Sequence, residues 1–529
     1  MEKQIKIEEY ARLFVKDLSS VWSIAKIENG YEVTFPNGRR GLIRGEDTQW
    51  AHDFADDPIT SRLWFHSLSY APHFYWDYGD WDTTAAVFSS YARFFQEQLR
   101  KPGYRPMNSL DHAHSVQLLV VSTTYASLIE KGELTPDREK VLVDFVETIA
   151  LSATADGMIT ANNHGMMLTR SLAHVGFAFE GKTDMAARCK ELGKGRFDEI
   201  IRGAFDEEGI ANENTPAYQV LYMRVIETMI TFLSQTEGED DPMLVKWKAL
   251  MELARDSLAL QLFPDGTIPP IGDDAGGPSP YAGRIGELYS PTNGIFVRKD
   301  DEQYVSIISG NKGVVHKQFD DTSIRIQYKG VDLLIDAGLL SYDVTDRIGR
   351  SIVSQRGHSG LYFTRFDDIV PRDVFSANPP RQSGSLTRGV DDKGYEYFDC
   401  SYVIDDLYKA KRRYTFLSRS KIEINDAYSA PDATEPVVQR FILPRRAQLT
   451  FNPSGVRVDV DDASLVIETE GDNGVRVYHG SQAEQPKGWR AVKQYNSEPC
   501  WCLEISPAQG VLNMNTSIAF GDKTLDRRP

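Results

Sequence analysis

The spacing of apolar residues changes once along this chain, and the change restricts it to a helical layer system followed by a stranded one. Tyr218, Leu221, Tyr222, Val225, Ile226, Met229 and Leu233 recur at three- and four-residue steps, which gives a helix with one broad buried face. Val141, Leu142, Phe145, Val146 and Ile149 repeat the pattern, and it holds over residues 62–263. Thr135-Pro136 and Thr215-Pro216 supply helix starts, each with a capping hydroxyl and a proline at the first position. Pro264-Asp265-Gly266-Thr267-Ile268-Pro269-Pro270 then ends the helical texture, because two successive prolines cannot continue it. Beyond this point the period is two. Ile324, Ile326 and Tyr328 alternate with Ser323, Arg325 and Gln327, and a Lys329-Gly330 turn leads into residues 331–336.

A chain of 529 residues exceeds what one core usually supports, so several domains are expected. The reading is a small N-terminal appendage over 1–55, built around a Pro36-Asn37-Gly38 turn, a helical domain over 56–285 and an antiparallel β-sandwich over 286–529. No repeat of propeller-blade length occurs. The net charge of -17, without a Lys/Arg run, argues against a nucleic-acid partner. An anionic ligand would then need local donors within a negative surface. Cys189, Cys400, Cys500 and Cys502 lack the spacing of a disulfide scaffold. Residues 1–15 are charged and lack an apolar h-region, and the best apolar stretch, 116–129, is shorter than the ~18 residues of a membrane span. A cytoplasmic protein without a membrane partner is expected.

Polar segments interrupt this patterning: Asn162-Asn163-His164-Gly165, Glu213-Asn214-Thr215-Pro216-Ala217-Tyr218, and His316-Lys317-Gln318-Phe319-Asp320-Asp321. Each has an ordinary structural use. Asn163 would cap the helix that follows, Tyr218 would pack in a helical stripe, and His316 would be a strand residue. Together an amide, an imidazole, a phenol and a second imidazole are the groups that abstract an activated proton and expel an alkoxide.

With Leu110-Asp111-His112-Ala113, Ile271-Gly272-Asp273-Asp274, Ile335-Asp336-Ala337-Gly338 and Gly357-His358-Ser359, these segments resemble the heparinase II/III-like polysaccharide lyases over residues 60–520. The resemblance implies an incomplete (α/α) toroid joined to an antiparallel β-sandwich, and β-elimination on a uronic-acid-containing polysaccharide or oligosaccharide. It implies that Asn163 and His164 neutralise the uronate carboxylate, that Tyr218 is the general acid and for some epimers the base, and that His316 completes the site from the second domain. His112, Glu213, Asp273 and Arg356 are the expected substrate-binding residues. Some members hold zinc in the sandwich, and Asp336 and His358 match two of its ligands. Gln318 stands where a histidine is usual, and an amide oxygen is a poor zinc donor, so no cofactor is required and a structural zinc is not expected. A homodimer is the expected assembly. Two other readings stay open: an inverting glycoside hydrolase using carboxylates among Glu213, Asp265, Asp273 and Asp274, and an inactive glycan-binding protein.

Overall fold

The computed structural model describes residues 23–52, 54, 60–103, 107, 109–343, 345–375, 377, 380–432, 434–471, 473–508 and 511–523. The charged segment 1–15 and the start of the expected appendage lie outside them. Two compact units divide the chain, Met1–Ala204 with Arg224–Ala249, and Phe205–Met223 with Leu250–Pro529. Glu213 and Tyr218 therefore group with the strands.

In the first unit a three-stranded antiparallel sheet, Ser23–Ile27, Gly30–Thr34 and Arg40–Ile43, precedes the helices. Tyr31, Val33 and Ile43 of this sheet, with Phe35 just after its second strand, share a core with Phe65, Phe74 and Phe88, and Tyr31 stacks on Phe74 at 4.3 Å. Each such fully buried apolar side chain contributes about 1.5–3 kcal/mol. The helices Thr60–Ser67, Ala71–Tyr78, Trp81–Arg100, Leu110–Glu130, Pro136–Ala153, Asn163–Ala178 and Met185–Ala204 follow. Leu110–Glu130 is buried on almost every side. It tolerates Ser122, Thr123 and Thr124 there because their hydroxyls donate to the carbonyls of Leu118, Leu119 and Val120 at 2.8, 2.7 and 2.8 Å. No helix among the described residues is long and apolar enough to cross a membrane.

The proline-led helix starts form as their residues dictate. Thr135 Oγ1 accepts from Arg138 N at 3.3 Å, and Thr215 Oγ1 accepts from Ala217 N at 3.3 Å ahead of the helix Pro216–Thr236. Asn163 is not the cap of its helix. Asn162 takes that position, its Oδ1 accepting from His164 N at 3.0 Å and Gly165 N at 3.2 Å, and the helix begins at Asn163.

The second unit is an antiparallel sandwich. A five-stranded sheet of consecutive strands runs from Gly286–Ser290 to Val331–Leu334, and an eight-stranded sheet begins with the meander Gln382–Val390, Glu396–Ile404, Tyr408–Ser418 and Lys421–Ser429. Phe296, Val305, Ile307, Ile324 and Ile326 from the first meet Phe398, Tyr414, Ile422, Ile467 and Ile518 from the second in one apolar core, with Phe296 stacked on Phe398 at 3.9 Å. A four-stranded sheet adds Gly474–His479, Trp501–Ser506, Val437–Leu443 and Leu361–Phe363. The alternation that predicts the strand pair about Lys329-Gly330 is realised as Ser323–Tyr328 paired with Val331–Leu334. All four cysteines are unpaired and buried, Cys500 and Cys502 against Ile335 and Ile442. The fold is thus a helical domain followed by an antiparallel β-sandwich, the order that the change of period requires.

Candidate active site

Two clusters of chemistry-bearing side chains stand out, one in each unit. In the first unit the turn before Asn163–Ala178 is tight. A Cβ on Gly165 would lie 1.7 Å from the Thr160 carbonyl oxygen, so only glycine lets Asn163 and His164 open the helix here. Asn163 is 6% exposed, and no protein group among the described residues hydrogen-bonds its carboxamide. His164 Nδ1 lies 3.2 Å from Asp111 Oδ1, and the His112 and His164 rings are 4.9 Å apart. Burial pushes His112 down to about 4, with His164 and Arg170 adding to the effect, so its imidazole is neutral at neutral pH. Burial opposes ionisation of Asp111, yet the bonds from His164, the His112 N–H and Thr160 outweigh it and hold its carboxyl below the ordinary range. Asp111 orients His164.

In the second unit Tyr218 lies in the first turn of its helix and stacks on His316, with ring centroids 3.6 Å apart and planes at 26°. His316 is not a strand residue. It sits in the loop between Gln303–Ile308 and Ser323–Tyr328 with φ 58°, a left-handed conformation unusual for a side-chain-bearing residue. Its Nδ1 is 2.7 Å from Glu213 Oε2, and Glu213 Oε1 accepts from Tyr222 Oη at 2.5 Å. Tyr218 Oη is 2.9 Å from Tyr342 Oη. Burial pushes the Tyr218 phenol up to about 12; the Tyr342 bond works against this, and Asp273, Glu213 and Asp274 reinforce it. The phenol holds its proton at neutral pH. Asp273 is pushed up to about 6, again by burial, although His316 and the Gln318 amide, which donates to it at 2.7 Å, oppose the shift.

Arg356, expected to bind substrate, is 2% exposed, with Nη2 3.1 Å from Asp368. Asp320 and Asp321 both pair with the fully buried ammonium of Lys317, and Asp321 also accepts from Gly310 N at 2.6 Å. These bonds anchor the loop that carries His316. Tyr342 has no sequence signal, because it follows no motif and only the folded chain brings its hydroxyl to Tyr218.

The sandwich position where zinc would lie holds His358, whose Nδ1 is 2.8 Å from Asp336 Oδ2. Gln318 donates its amide nitrogen to Asp273 and the Gly338 carbonyl, and its buried amide oxygen has no hydrogen-bond partner among the described residues. Burial disfavours charge on His358, while Asp336 and Asp320 act the other way and raise its pKa, and its buried Nε2 has no hydrogen-bond partner among the described residues. One carboxylate, one imidazole and one amide make a poor donor set for zinc, because an amide oxygen is a weak ligand beside nitrogen, sulfur and carboxylate. Among the described residues no three His, Cys, Asp or Glu side chains gather as a metal site.

No protein-family model and no curated protein matches the chain. Solved structures do. One titled heparinase III has a TM-score of 0.69 at 12% identity, with 99% of this chain and 85% of that chain covered. A heparinase III gene product gives 0.65 at 13% identity over 91% and 82%. The heparan sulfate lyase HepC from Pedobacter heparinus gives 0.60 at 13% identity over 98% and 83%. At such identity the likeness establishes a heparinase-like fold.

Proposed function

We propose that this chain is a polysaccharide lyase that cleaves an anionic, uronic-acid-containing glycan by β-elimination. The observation that carries the reading is the stack of a proton-holding Tyr218 on His316, whose Nδ1 is bonded to Glu213. The proton beside a uronate carboxylate becomes removable only when the carboxylate's charge is offset as the enolate-like state develops. The resemblance assigns that carboxylate to Asn163, whose carboxamide has no hydrogen-bond partner among the described residues, and to His164, which with Nδ1 on Asp111 can donate through Nε2 only as the imidazolium. His316 Nε2 takes the proton; the C–H electron pair becomes the double bond to the neighbouring ring carbon, and the glycosidic C–O pair leaves that carbon with the oxygen. The leaving oxygen takes its proton from Tyr218, which suits an acid that stays protonated at neutral pH. The enzyme is left with a protonated His316 and a Tyr218 phenolate, and their stacking lets the proton return with little movement.

The substrate class follows from the heparinase and heparan sulfate lyase titles of the structural neighbours together with this chemistry. One observation favours a second reading. Asp273, at about 6, is the kind of carboxyl that serves as the general acid of a hydrolase. Tyr218→Phe separates the two. Under elimination it lowers turnover by roughly 10²- to 10⁴-fold with the fold intact; turnover unchanged in that variant but lost in Asp273→Asn would transfer the role to the carboxylate.

A further inference from the structure

We propose that Glu213 is a positioning residue that fixes the tautomer of His316, rather than a substrate ligand; this rests on the elimination reading above. Glu213 is 4% exposed and both its oxygens are engaged, Oε2 by His316 Nδ1 at 2.7 Å and Oε1 by the Tyr222 hydroxyl at 2.5 Å. At this burial its carboxylate presents little surface to a sugar. A carboxylate only accepts, so the His316 proton sits on Nδ1 and the Nε2 lone pair is left as the base.

The backbone around the pair is built for this contact. Asn214, itself at φ 59°, donates through Nδ2 to the carbonyls of Gly313 at 2.9 Å and Val315 at 2.8 Å, the residues just ahead of His316. A Cβ on Gly313 would come 2.1 Å from the Asn212 carbonyl oxygen, so the two loops meet backbone to backbone. A left-handed histidine held by its neighbours on one side and stacked on Tyr218 on the other has one orientation available. When Nε2 takes the substrate proton, the carboxylate faces the new imidazolium and stabilises it.

The test compares Glu213→Gln with Tyr222→Phe and wild type. The Gln amide can donate to Nδ1 and so favours the opposite tautomer, with the proton on Nε2. Long-range nitrogen–proton NMR on histidine-labelled protein, with His316→Gln identifying the resonance, reads the tautomer without any substrate. Expected are an Nδ1–H tautomer in wild type, its inversion in Glu213→Gln, a fall in kcat of roughly 10²- to 10⁴-fold at nearly unchanged KM, and a smaller loss in Tyr222→Phe. An Nε2–H tautomer in wild type, or a Glu213→Gln variant that raises KM while keeping kcat, overturns the proposal. An Nδ1–H tautomer in a protein that eliminates no uronate would leave the positioning intact and refute the lyase reading instead.

Discussion

Tyr218 binds its proton more tightly than a phenol in water, because burial and three nearby acids, Asp273, Glu213 and Asp274, all disfavour the phenolate. Tyr342, whose hydroxyl bonds the Tyr218 oxygen, works the other way. A hydrogen bond to a charged group is worth about 1.5–3 kcal/mol. Tyr342→Phe is therefore expected to slow turnover by roughly 10- to 100-fold, measured as kcat on a cleaved polysaccharide, since the phenolate left after proton donation loses its donor. Asp273 carries a stability cost. Its folded pKa of about 6 lies above the unfolded value of 3.8, so below 3.8 there is no difference between the states, and the penalty grows until it is complete above about 6. Asp273→Asn should accordingly raise the melting temperature at pH 7–8 and not at pH 3.5, by the equivalent of up to about 3 kcal/mol at the high-pH end. An equal shift at both pH values would mean that ionisation is not the cause.

At the scale of elements, the turn that opens Asn163–Ala178 carries two separable constraints. Asn162→Ala removes the cap, costs about 1 kcal/mol and frees the first turn that presents Asn163 and His164. Gly165→Ala collides with the Thr160 carbonyl oxygen, so it should be the more damaging of the two in thermal unfolding. Helix starts were readable because Thr-Pro pairs satisfy orphan donors and preset the backbone locally, as at Pro136 and Pro216. The cap at Asn162 is one residue from the expected Asn163, since two adjacent asparagines are chemically equivalent caps and the Thr160 hydroxyl that donates to Asn162 Oδ1 leaves no mark in the pattern. The loop of His316 was not readable as a loop. Its left-handed backbone is imposed by Asn214, about a hundred residues earlier, and by the buried Lys317–Asp320–Asp321 group, and neither leaves a periodic trace. Tyr342 was missed for the same reason, as was the burial of Arg356 against Asp368.

Across the whole molecule, the change of apolar period was enough to give helices first and a sandwich second, because each core selects its own spacing. What it could not give is the division by compactness, in which residues 205–223 leave the helical half, since that depends on contacts and not on pattern. The helical unit also buries neutral imidazoles. Burial pushes His66 and His114 down to about 4 and holds His174 well below the ordinary imidazole value. Their folded pKa values lie below the unfolded 6.5, so no penalty exists above that pH, and stability falls as the unfolded state gains protons between about 6.5 and 4. The His66 and His114 shifts are each worth up to about 3 kcal/mol, and His114→Gln is expected to flatten the acid limb of a melting-temperature profile without moving its neutral plateau. A profile that kept its slope in that variant would assign acid lability elsewhere. The central claim is the reaction. Its most direct test is to follow far-ultraviolet absorbance and new reducing ends together while the protein digests a panel of uronic-acid polysaccharides, heparan sulfate included. Elimination predicts one unsaturated uronate for every new reducing end, with both signals lost in Tyr218→Phe; reducing ends without absorbance would contradict it.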